Sequence, residues 1–181
     1  MGCWGITALE SDAGLDAVGF IRDMLPEGGG IRLEQMIAAL KKDNWNAPAD
    51  PVLGYSHTSP MALAEIMLKI MDNTPDGLDY DEEWAEGDRK FSALTSFTAD
   101  KESIVWLRDY LEQNLAASRR NAVFRAQQGE PYGGWFEEKN WIGWQKHMEN
   151  LISRLDELIT QPEQEIELIK PQTMTENGIT M

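Results

Sequence analysis

Apolar side chains recur every three or four residues in five stretches of the chain, and this is the period of an amphipathic helix. The stretches predict helices at 12–25, 32–42, 59–72, 100–124 and 136–160. Asp12 and Asp100 are placed to cap the first and fourth helices, and Ser59 followed by Pro60 is a strong helix start. The pattern therefore predicts an all-α fold, an irregular bundle of about five helices.

The last of these helices has the most regular apolar spacing. Its large apolar residues run from Trp141 to Leu158 at alternating intervals of 3 and 4. This spacing is typical of a helix that packs along most of its length. We therefore expect five side chains from the last two helices in the core: Leu111, Trp144, Met148, Leu151 and Leu155.

Turn-forming residues divide the helices. Three glycines at 28–30 predict a break between the first and second helices. Residues 43–58 hold two prolines and several turn formers, which predicts an ordered loop or a flap. After Pro162 a brief alternation through Ile166 and Leu168 allows at most one short strand. The sequence thus predicts a helical domain over 1–162 and a polar C-terminal tail over 163–181.

The charge is strongly negative. Acids outnumber bases 31 to 16, for a net charge of -15. Phosphates would be repelled, which argues against nucleic acid or an anionic membrane as partner and favours a basic protein. A single cysteine, Cys3, and the lack of a long apolar run or signal-peptide pattern favour a cytoplasmic location.

Few residues of the usual catalytic kinds are present. With two histidines and one cysteine, a zinc site built from Cys and His is excluded, and no glycine-rich phosphate loop or nucleophilic triad is visible. His57 is predicted to be a polar loop residue. His147 lies beside the apolar seam of the last helix and is predicted to be half-exposed. We assign no catalytic residue and expect that the protein is not an enzyme.

An acidic run between Asp72 and Asp88 holds eight acids and no base. Compared with a calcium-binding loop, Asp72, Asp76 and Glu83 fall at the first, fifth and twelfth positions, but Pro75 stiffens the turn and no second loop is visible. We keep a Ca²⁺ site at Asp72, Asp76 and Glu83 as one alternative, with no cofactor as the default. A metal-dependent hydrolase, whose site would draw on residues distant in sequence, is a second alternative.

The same run could bind a protein. An aromatic anchor surrounded by carboxylates would suit a basic surface on a partner. The candidate partner-binding residues are Asp79, Tyr80, Asp81, Glu82, Glu83 and Trp84. The function we favour is therefore a non-enzymatic acidic binding protein, an inhibitor or immunity-type protein that masks the basic surface of a toxin or of a nucleic-acid-binding protein.

The opening MGCWGITALESDAGLD resembles the start of an uncharacterised bacterial family, domain of unknown function 4259. Trp4, Gly5, Asp12 and Asp16 match its pattern of a Trp-Gly segment followed by spaced acids, whereas Leu9 replaces the usual Phe. The resemblance implies a small helical intracellular protein and brings no known activity. We expect Trp4 to insert into the core and so fix an end of the chain that would otherwise fray.

Overall fold

The computed structural model describes residues 2–51, 57–75, 77–79, 89–131 and 138–169. All five predicted helices are present, as α1 Asp12–Met24, α2 Leu33–Leu40, α3 Ser59–Met71, α4 Lys101–Gln127 and α5 Trp141–Ile159. Short 3-10 turns, Ala8–Glu10 and Glu138–Asn140, precede α1 and α5. In the part of the chain that is described, no helix is long and apolar enough to cross a membrane.

A small sheet accompanies the helices, so the prediction of an all-α fold is wrong in part. Strand β1 (Gly29–Arg32) pairs in parallel with β2 (Leu94–Asp100), and β2 pairs antiparallel with β3 (Glu165–Glu167). The sequence indicated only β3. The glycines of β1 read as a break because their pairing with β2 is long-range and leaves no local signal. The fold is mostly helical with a mixed three-stranded sheet.

Of the three predicted helix caps, one is confirmed and two differ. The Asp100 carboxylate accepts a hydrogen bond from the Ser103 amide, 2.6 Å away, and so caps α4 as expected. At α1, however, Ser11 rather than Asp12 is the cap, with its Oγ 3.0 Å from the Gly14 amide. Helix α3 begins at Ser59 as predicted, but the Ser59 hydroxyl donates to the carbonyl of Asn46 instead of capping the helix.

The predicted core residues are confirmed. Leu111, Trp144, Met148, Leu151 and Leu155 are all buried. They form the seam between α4 and α5, which lie against each other along much of α5. Residues assigned to the C-terminal tail join this core as well, since Ile166 of β3 and Leu168, which follows that strand, are buried.

We predict that Leu151→Ala destabilises the protein by about 2–5 kcal/mol, because it empties a buried position in the seam between α4 and α5. Urea denaturation measures the loss. Ile142→Ala on the same helix is the matched control, since Ile142 is 60% exposed and should change the free energy of unfolding little. Equal effects of the two variants would show that α5 packs through a different face.

Candidate functional site

Glu10 folds the N-terminal segment back on itself. Its Oε2 accepts hydrogen bonds from the amides of Thr7 at 3.0 Å and Ile6 at 2.9 Å. These two bonds favour the ionised carboxylate and lower the pKa of Glu10 below its ordinary value. Gly5 leaves room for this arrangement, because a Cβ on it would lie 2.1 Å from the Glu10 carboxyl group and displace it.

A second glutamate anchors this segment to the body of the protein. Glu65 lies in the middle of α3 with 5% of its surface exposed. Its oxygens accept hydrogen bonds from the amides of Ala8, at 2.8 Å, and Leu9, at 3.2 Å. His147 Nε2 of α5 lies 2.7 Å from Glu65 Oε1, so one carboxyl group joins the N-terminal turn, α3 and α5. His147, predicted to be half-exposed, has only 19% of its side chain exposed.

The segment also pairs with the start of α1. Cys3 and Ser11 form an isolated antiparallel bridge. Beside it the Asp12 amide donates to the carbonyl of Gly2, and Asp12 Oδ2 accepts from the Gly2 amide at 2.6 Å. The N-terminus is therefore held in place as predicted, but by carboxylates and backbone hydrogen bonds rather than by a buried tryptophan.

Buried polar groups support the loop after α2. The Ser59 hydroxyl donates to the Asn46 carbonyl at 2.6 Å, and the Tyr110 hydroxyl donates to the Ala49 carbonyl at 2.9 Å. The Tyr110 hydroxyl in turn accepts from the His57 amide. Burial raises the pKa of Tyr110 and lowers the pKa of His57, which favours the neutral form of each side chain. His57 is thus a partly buried structural residue within this loop.

Two tryptophans carried by these fixed segments are exposed. Trp4 is 56% exposed and Trp45 is 63% exposed, so the prediction that Trp4 inserts into the core is wrong. The reason is that the hydrogen bonds to Glu10 and Glu65 already fix the segment without it. The Trp45 indole N–H donates to Asp16 Oδ2 at 3.3 Å. We call the surface formed by Trp4, Asp12, Asp16 and Trp45 the tryptophan face.

Three other tryptophans follow the expectation of core packing. Trp144 is buried, and Trp106 and Trp141 are partly buried against the core. The Trp106 ring also lies beneath the Lys41 ammonium, 4.2 Å from the ring centroid. Trp84 and Trp135 lie outside the described residues.

One predicted partner-binding residue is described, and its carboxylate has a structural role. Asp79 accepts hydrogen bonds from the amides of Phe91 and Ser92, both at 2.9 Å, and from the Ser92 hydroxyl. It therefore holds the turn that leads into β2. The other members of this candidate set lie outside the described residues: Tyr80, Asp81, Glu82, Glu83 and Trp84.

The predicted calcium ligands are described in part. Asp72 makes two hydrogen bonds with Arg154 of α5, at 2.6 and 3.2 Å, while Asp76 and Glu83 lie outside the described residues. Within the described ranges, no three His, Cys, Asp or Glu side chains are grouped so that they could hold a metal ion. The calcium site stays a prediction.

The Asp72–Arg154 ion pair borders a surface cavity of about 300 Å³ between the ends of α3 and α5 and strand β3. Apolar side chains of Leu158, Ile166 and Leu168 line it beside the charged pair. Neither histidine lines this cavity.

Comparisons with known protein families, with curated protein sequences and with solved structures found no match to this chain. The resemblance of its first residues to domain of unknown function 4259 stays a prediction.

The pair of Glu65 and His147 was missed from the sequence because the two residues are 82 positions apart. A signal was nevertheless present. Glu65 is the one acid within the apolar run SPMALAEIMLKIM, where both faces of the helix are hydrophobic. An acid in such a run must accept hydrogen bonds from buried donors. The pattern therefore predicts a polar contact for Glu65, although it does not identify the partner residue.

We predict that Glu65→Gln destabilises the protein by about 1–3 kcal/mol, because an amide cannot accept all three hydrogen bonds and leaves a buried donor unsatisfied. Urea denaturation measures the loss, and hydrogen exchange should accelerate at the amides of Ala8 and Leu9. Glu112→Gln, at an exposed position of α4, is the matched control. Unchanged exchange at Ala8 and Leu9 would contradict the role of Glu65.

We predict that calcium raises the melting temperature of the wild type little, since the ion would first have to displace Arg154 from Asp72. If residues 72–83 bind calcium, Arg154→Ala should enlarge the shift and Glu83→Gln should abolish it. Differential scanning fluorimetry across a calcium titration measures both. A shift of many degrees at sub-millimolar calcium in the wild type, lost in Asp72→Asn, would contradict this prediction.

Proposed function

We propose that this chain is a non-enzymatic acidic binding protein that masks the basic surface of a protein partner, in the manner of an inhibitor or immunity-type protein. The partner would be a toxin or a nucleic-acid-binding protein, met in the cytoplasm. Such a partner presents lysines and arginines that ordinarily contact phosphates. A strongly anionic protein competes for the same surface through the same charge.

The observation that carries the proposal is that arginines of the protein are paired with its own carboxylates. Five arginines, on β1, α4 and α5, each lie within salt-bridge distance of a carboxylate of this chain: Arg32, Arg108, Arg119, Arg125 and Arg154. Exposed pairs of this kind contribute little to stability. They do neutralise the cations, so the field that reaches a partner comes from the excess of 15 carboxylates.

Two further features fit a binder. Trp4 and Trp45 are exposed, and large aromatic side chains are the commonest anchors of protein interfaces. Their segments are fixed by hydrogen bonds to Glu10, Glu65 and Ser59 before any partner arrives. A surface that is ordered in advance loses less conformational entropy on binding.

The proposal is tested on a purified pair. Chemical crosslinking in cells that express the chain, followed by mass spectrometry, identifies the partner, and the two purified proteins are then mixed and followed by stopped-flow fluorescence. We expect a binary complex with a basic partner and an association rate that falls steeply as salt is raised, since charge steers the encounter. The complex should also block binding of nucleic acid by that partner.

Two results would contradict the proposal. One is a complex whose association rate is independent of salt, because steering by the excess carboxylates would then play no part. The other is turnover of a small molecule by the purified chain, which would favour the hydrolase alternative instead.

A further inference from the structure

We infer that the tryptophan face is a docking surface for a cationic segment of a protein partner, with arginine side chains that stack on Trp4 and Trp45 and pair with Asp12 and Asp16. The inference rests on the proposed function and adds to it a site and a mode of recognition. It assigns the docking role to a surface other than the acidic run between Asp72 and Asp88.

The four residues of the face are neighbours through α1. Asp12 and Asp16 lie four positions apart, so their side chains point to the same side of the helix, one turn from each other. Asp16 contacts the indole of Trp45 directly. Trp4 belongs to the segment whose Gly2 amide binds Asp12 and whose Cys3 pairs with Ser11, at the start of α1.

The exposure of both indoles is maintained by the fold. Trp45 follows a turn in which the Asp43 carboxylate accepts from the amides of Trp45 and Asn46, at 2.9 and 2.6 Å. The Trp4 amide donates to the Glu10 carbonyl at 3.0 Å. These hydrogen bonds fix the backbone from which each indole projects, and more than half of each side chain lies in water.

The charge of the face determines which partner it suits. Exposed carboxylates at Asp12 and Asp16 would have to be desolvated by an apolar partner, which is costly without compensation. A second copy of this chain would bring a net charge of -15 towards the same acids, and the two would repel. A guanidinium satisfies both features at once, because it stacks on an indole and forms paired hydrogen bonds with a carboxylate.

The test uses the full chain and a defined probe, a fluorescently labelled peptide of repeated Arg-Ala pairs, with a peptide of repeated Gln-Ala pairs as its control. Fluorescence anisotropy measures binding. Trp45→Ala and Trp4→Ala should each weaken binding about tenfold, as expected when an interface anchor is removed. Trp45→Phe, which keeps an aromatic ring, should lose less than Trp45→Ala.

Two aspartates of α1 supply a matched pair for the contribution of charge. Asp16→Asn removes a carboxylate of the face and keeps an acceptor for the Trp45 indole, whereas Asp23→Asn removes the same charge from an exposed position near the other end of the helix. We expect Asp16→Asn to weaken peptide binding several-fold and Asp23→Asn to weaken it little. Melting temperatures measured in parallel confirm that each variant is folded.

Failure of this inference differs from failure of the proposed function. Equal losses for Asp16→Asn and Asp23→Asn, with no loss for either tryptophan variant, would show attraction by net charge alone and would overturn the docking surface while leaving the proposed function standing. The same variants in the purified complex give a second measure. A partner that binds with salt-dependent rates and is insensitive to Trp4→Ala and Trp45→Ala docks elsewhere.

Discussion

The fold depends on one buried carboxyl group. Glu65 stands in the apolar helix α3, where an ionisable side chain is costly unless donors satisfy it. The amides of Ala8 and Leu9 and the ring of His147 supply those donors. The same contacts fix the N-terminal turn against α3 and α5. A carboxyl group that would disfavour folding if left unsatisfied thus fixes the position of the N-terminal turn on the core.

The N-terminal turn then sets the geometry of the tryptophan face. Its hydrogen bonds with Glu10 and Glu65 fix the backbone that follows Trp4, and the bond from Gly2 to Asp12 fixes the backbone that precedes it to α1. The loop that carries Trp45 is held independently, because Ser59 of α3 and Tyr110 of α4 donate hydrogen bonds to its carbonyls. Two separate polar networks therefore converge on one exposed surface, and the Trp45–Asp16 contact connects them.

Local signals predicted the helices and little else. Apolar periodicity located all five helices and the seam at Leu151, and Asp100 was correctly identified as a cap. Strand β1 was missed because its pairing with β2 depends on residues far along the chain. Trp4 was misplaced because size and hydrophobicity predict burial on average, and the hydrogen bonds that make its burial unnecessary involve Glu65. The tryptophan face was not predicted at all. Its contacts join α1 to two segments outside the helix, and no periodic pattern in the sequence relates them.

The parallel pairing of β1 with β2 has a consequence for the order of folding. Gly29 pairs with Leu94, so the whole of α2 and α3 lies within the loop that this contact closes. By contrast, α4 and α5 are consecutive helices, since α4 ends at Gln127 and α5 begins at Trp141. Contacts between near neighbours in sequence form sooner than distant ones, because less chain entropy is lost before they are made. The contacts between α4 and α5 are therefore expected to form before the pairing of β1 with β2.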